Sequence, residues 1–60
     1  MQNYSDFGVE ARGIMLKKGI TMTALAKELN ISTSYLSDIL RGAKKGVKQR
    51  ERIVQALEMN

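Results

Sequence analysis

Sixty residues with no Cys and no His form at most one small domain, in which a disulfide, a thiolate metal site and the commonest zinc ligands are all excluded. Ten basic residues stand against six acidic ones, a formal +4 and a pI near 9.8, so a polyanion is the first partner to consider. No stretch approaches the roughly 20 apolar residues of a membrane span, and MQNYSDFG lacks the basic and apolar regions of a leader, so a cytoplasmic protein without a membrane partner is expected.

Met1 to Tyr4 are read either as a frayed end or as an arm, and the sequence leaves both open. From Ser5 or Asp6, a plausible N-cap, to Lys18, the residues Phe7, Ala11, Ile14, Met15 and Lys18 recur every three or four positions and outline a first helix. Gly8 and Gly13 each weaken it by about 1 kcal/mol relative to Ala. Lys17 and Lys18 suit the negative end of its dipole, and Gly19 supplies the left-handed stop.

Thr21, or Met22, opens a second helix in which Leu25, Ala26 and Leu29 form the apolar stripe. Asn30 tolerates the left-handed conformation and turns the chain, while Ile31 points back into the core. Ser32 caps a third helix, which carries Leu36, Ile39 and Leu40 inward and stops at Arg41–Gly42. Ala43 to Gly46 form a short basic loop. A last helix from about Val47 to Glu58 places Val47, Ile53, Val54, Ala56 and Leu57 mostly on one side.

The expected fold is therefore all-α, a bundle of about four short helices. It is one domain over 1–60, with a helix-turn-helix at about 21–42, the basic loop at 43–46 and the C-terminal helix at about 47–58. A major groove about 12 Å wide admits one helix, provided another braces it. Ala26 is small where the second helix crosses the third, and Thr33, Ser34, Tyr35, Ser37, Asp38 and Arg41 are left outward.

Gly19-Ile20-Thr21, Leu25-Ala26, Leu29, Ile31-Ser32, Leu36-Ser37, Ile39 and Gly42 match, without a gap, the pattern of the Cro-type, lambda-repressor-like helix-turn-helix family, which this chain resembles over about residues 7 to 57. Met22 stands where many relatives carry a phosphate-binding Gln, and Asn30 where the turn usually has Gly. Met15 and Leu40 occupy positions where some relatives pair an Arg with a Glu. Two apolar residues can replace such a buried pair at little cost, so Met15 and Leu40 are expected to touch.

The resemblance implies double-stranded DNA as partner and assigns phosphate contacts to Thr23, Ser32, Lys44, Lys45 and Lys48. Six basic residues, Arg41, Lys44, Lys45, Lys48, Arg50 and Arg52, fall together with only Glu51 opposing them. Base reading falls to Thr33, Ser34, Tyr35, Ser37 and Asp38, with Arg41 reaching a guanine or a phosphate. Asp38 can select cytosine by accepting from its amino group, or simply pair with Arg41 on the helix surface. Tyr35 can meet a thymine methyl or a phosphate, or shield the junction of the second and third helices.

Relatives bind palindromic operators as dimers on half-sites about one helical turn apart. A homodimer, at least on DNA, is thus expected, with Val54, Leu57 and Met59 as the candidate contact, although residues such as Val54 and Leu57 are more often simply core. No catalytic residue, metal or cofactor is implied, since no His or Cys is present as base or nucleophile. The function expected is a small transcriptional regulator, a repressor that occludes a promoter of a phage or other mobile element. The alternatives are an architectural or recombination-accessory DNA binder, and a protein-interaction module such as an antitoxin or antirepressor.

Overall fold

The computed structural model describes residues 4–59 and contains four α-helices, α1 (Asp6–Lys18), α2 (Met22–Leu29), α3 (Thr33–Arg41) and α4 (Val47–Leu57). Among the described residues there is no strand. Of the segment read as a frayed end or arm, Met1, Gln2 and Asn3 lie outside the described residues, whereas Tyr4 packs against the core.

Three caps are hydroxyls placed three residues before the amide they satisfy, which removes one of the unpaired first-turn donors of each helix. Ser5 Oγ accepts from Gly8 N–H at 3.2 Å, Thr21 Oγ1 from Ala24 N–H at 3.0 Å and Ser32 Oγ from Tyr35 N–H at 3.0 Å. Gly19 (φ 71°) and Asn30 (φ 60°) end α1 and α2 in the left-handed conformation. After the second of these turns, Ile31 N–H bonds back to the Ala26 carbonyl at 3.0 Å, and the Ile31 side chain packs against the core.

The core is wholly apolar: among the described residues no polar or charged side chain is buried. Ala11, Met15, Leu25, Leu36, Ile39, Leu40, Ile53 and Leu57 form one cluster, with α1 packed on α3 and α4, and α2 likewise packed on both. Met15 and Leu40 are both fully buried in it, on helices that pack together.

Two expectations about α4 are corrected. Val47 leaves the packed side and is 65% exposed, because as the first helical residue it follows a left-handed Gly46 (φ 45°) that carries the chain out of the basic loop. Met59, read as a dimer contact, is 9% exposed and belongs to the core, while Leu57, at 1%, takes the core place also read for it. Glu58 adopts φ 56°, so the chain turns at the end of α4, and Met59 N–H bonds to the Val54 carbonyl at 3.0 Å. That turn folds the Met59 side chain under the bundle instead of releasing it to a partner.

Gly8 does more than weaken α1. A Cβ there would sit 2.0 Å from the Leu40 carbonyl oxygen, so only glycine lets the first turn of α1 approach the end of α3. Ser5 uses the same approach: its N–H and its Oγ–H both donate to that carbonyl, at 3.0 and 2.9 Å. The start of α1 is thereby stitched to the last turn of α3.

Candidate nucleic-acid interface

The outer side of α3 is a polar stripe opposite its buried Leu36, Ile39 and Leu40. At 3.6 residues per turn, Thr33, Ser37 and Arg41 stack along one line, with Ser34 and Asp38 beside them. These five side chains, together with Met22 from the first turn of α2, line one shallow groove. Five of the six residues assigned to base reading are therefore brought together.

Tyr35, the sixth, is placed elsewhere. It is half-buried, packs against the core, and brings its hydroxyl towards Gly46, where a Cβ would lie 3.5 Å away. It covers the junction of α3 with the basic loop. Met22 was not among the assigned residues, although its position at the start of α2, facing α3, is what admits it to the groove.

Within the groove, the Arg41 guanidinium donates to the Asp38 carboxylate one turn earlier. The pair satisfies Asp38 and aims the Arg41 fork along the outer side of the helix, where its remaining donors are open. Arg41 is exposed and Asp38 half-buried, so this is a surface pair of modest strength.

The loop after α3 is tied to the same helix. The Asp38 carbonyl accepts from Ala43 N–H at 2.9 Å and Lys44 N–H at 3.4 Å, and Gly42 (φ 80°) makes the left-handed turn that allows both. Gly46 closes the loop where space is tight, since a Cβ would meet Ile39 Cγ1 at 3.0 Å. Lys44, Lys45 and Lys48 are exposed on this loop and the adjoining turn of α4. These bonds fix the start of the loop backbone relative to α3.

The basic cluster divides in three dimensions. Arg50 turns towards α1, its guanidinium 4.6 Å above the Phe7 ring, a cation–π contact. Arg52 donates to Gln49 Oε1 at 3.3 Å and lies beside Glu28 and Leu29 of α2. Successive α4 positions point in different directions, so a run of cations in sequence becomes three separate patches. Arg41, Lys44, Lys45 and Lys48 adjoin α3.

Of the two remaining phosphate candidates, Ser32 and Thr23 are both exposed. Ser32 spends an oxygen lone pair on its cap and keeps its hydroxyl hydrogen for an external acceptor. Thr23 follows Met22 in the first turn of α2, next to the groove.

Far from the groove, Lys18 donates to Glu58 at 2.8 Å and joins the ends of α1 and α4. That hydrogen bond first, and the Lys18 charge second, hold the Glu58 carboxyl below its ordinary range. Among the described residues no helix is long and apolar enough to cross a membrane, and no cluster of His, Cys, Asp or Glu could hold a metal ion.

In comparisons with known proteins, a family model described as helix-turn-helix matches residues 12–58. No curated protein and no solved structure matches the chain. The match spans α2, α3, α4 and most of α1, the same elements that brace the groove, and the chain belongs to the Cro-type, lambda-repressor-like helix-turn-helix family of DNA-binding domains.

Proposed function

We propose that this protein is a small sequence-specific transcriptional regulator that reads the major groove with α3 and represses by occluding a promoter. One observation carries the reading: the groove of Thr33, Ser34, Ser37, Asp38 and Arg41 is joined, through the Asp38 carbonyl, to a loop bearing Lys44 and Lys45. Phosphate contacts position a protein on the duplex and base contacts specify sequence, and a regulator needs both in one rigid frame. Thr23, Ser32, Lys44, Lys45 and Lys48 take the phosphates in this reading. Met22 adds an apolar wall suited to a thymine methyl.

Occlusion needs nothing beyond a bound domain, and two domains on half-sites about 34 Å apart cover more than one turn of duplex. In this reading the regulator works in the cytoplasm as a homodimer on a palindromic operator and serves a phage or other mobile element, a setting common among small regulators of this family.

Selection of bound duplexes from a randomised pool at near-physiological salt tests the proposal. Recovery of a dyad with half-sites about 10 base pairs apart supports a dimeric operator binder. Retention of bulk DNA without enrichment favours an architectural role instead, and absence of any DNA binding removes the proposal in favour of a protein partner.

A further inference from the structure

With Leu57 and Met59 buried in the core, Val54 is the one of the three candidate contact residues left partly exposed. A second groove runs between Phe7 of α1 and the α4 residues Val47, Arg50, Glu51 and Val54. Val47 and Val54 are seven residues apart, hence on one side of the helix and two turns distant. Arg50 and Glu51 lie between them. Among the described residues Glu51 makes no ion pair or side-chain hydrogen bond, and Arg50 has the Phe7 ring beneath it but no carboxylate partner.

We infer that this groove receives a second copy of the chain in a two-fold contact, Val47 and Val54 forming its centre and Arg50 of each copy pairing with Glu51 of the other. The inference rests on the dimeric reading above and assigns its surface. In a two-fold contact residue i meets j while j meets i, so a patch must complement itself. An adjacent cation and anion, both without ionic partners and flanked by apolar residues, meet that requirement.

Size and placement agree. Two domains whose Cα traces span 24 Å at most fit side by side on half-sites roughly 34 Å apart when α3 of each stands outward from the contact. A contact made by α1 and α4 leaves α2 and α3 outside, and no residue of this groove belongs to the one on α3. It also begins at Val47, directly after the lysine-bearing loop. A patch this small is well below the roughly 20 to 30 residues a side of a stable interface, so the dimer is weak in free solution and forms on DNA.

The test uses charge reversal with rescue. Sedimentation equilibrium, and binding to duplexes carrying one or two copies of a selected half-site, are measured for the wild type, Arg50→Glu, Glu51→Arg, the double reversal and Val47→Ser. Thermal melts establish that each variant is folded at the working temperature, since Arg50→Glu also loses the contact with Phe7. The expected result is a loss of at least about tenfold in two-site cooperativity for each single reversal, recovered in the double reversal. Val47→Ser, which touches neither the core nor the ion pair, reduces cooperativity while leaving one-site affinity unchanged. Wild-type dimerisation that none of the variants alters overturns the assignment and leaves the dimer standing. So does dimerisation abolished by Leu16→Ser, on the exposed side of α1, but not by Val47→Ser. A wild type that stays monomeric on the two-site duplex overturns the dimeric reading itself.

Discussion

Asp38 has two functions at once, through different atoms. Its carbonyl holds the basic loop and its carboxylate holds Arg41. Asp38→Ala keeps the first and removes the second, which separates them experimentally. Losing the carboxylate frees the Arg41 guanidinium and removes a charge that phosphates repel. Affinity for unselected duplex is then expected to rise, while preference at one base pair falls by about 1–3 kcal/mol, the usual worth of a well-placed base contact. Competition binding across single-base variants of the selected site checks this, and an equal change on every sequence would refute it. The sequence made Asp38 a candidate selector and Arg41 its possible surface partner; the pairing is found in the structure because the two are three residues apart on one helix. Tyr35 was open to two readings, a base or phosphate contact and a shield over a helix junction. Turning 100° per residue, however, puts it beside Ile39 instead of Ser37, and that angle was available from spacing alone.

At the scale of the element, all four helices were legible, and the boundaries of the first three are marked by residues with a local reason to be there: Ser5, Thr21 and Ser32 as caps, Gly19, Asn30 and Gly42 as left-handed turns. What local pattern could not supply was the contact between elements distant in sequence. Gly8 and Gly13 look alike as helix weakeners, yet they differ in what lies beside them. Beside Gly8 is the Leu40 carbonyl, whereas nothing lies within 4 Å of a Cβ at Gly13. Gly13→Ala is therefore expected to stabilise the protein by about 0.5–1 kcal/mol through helix propensity. Gly8→Ala is expected to cost roughly 1–3 kcal/mol as α1 is forced from α3. Paired thermal melts should show shifts of opposite sign, about 4–8 °C per kcal/mol for a domain of this size. The same limit explains Val47 and Met59. Periodicity described α4 as an isolated helix, but the left-handed residues at its two ends decide which neighbouring side chains face inward.

Across the whole molecule, electrostatics act in two separate places. Near α3, each lysine that neutralises a phosphate contributes about 0.9 to the slope of log affinity against log salt. Lys45→Ala is expected to lower that slope by about 1 and to weaken binding on all duplexes alike. Titration of affinity over a salt series is the measurement, and an unchanged slope would remove Lys45 from the phosphate contacts. At the opposite side, Lys18 and Glu58 join the ends of α1 and α4. Glu58 has its carboxyl pKa lowered from an ordinary 4.5 by Lys18. The stabilisation is thus fully present above pH 4.5 and is lost as pH falls through the lower folded-state value. Melts of the wild type should show this loss below pH 4.5, and Glu58→Gln should remove that component of the pH dependence. Both side chains are solvent-exposed, so the effect is small and fades with added salt.

The stitch between Ser5 and the Leu40 carbonyl makes the beginning of the chain a gauge for the reading helix. Ser5 touches none of the groove residues, yet with Gly8 it sets how the last turn of α3, and hence Arg41, leans relative to the loop lysines. A bulky fusion placed just before Ser5, or trimming of the chain past it, would retune which duplexes are preferred before it diminished the overall grip on DNA. Proteolysis or tagging at that end is in this sense an edit to recognition, made from a residue outside the groove.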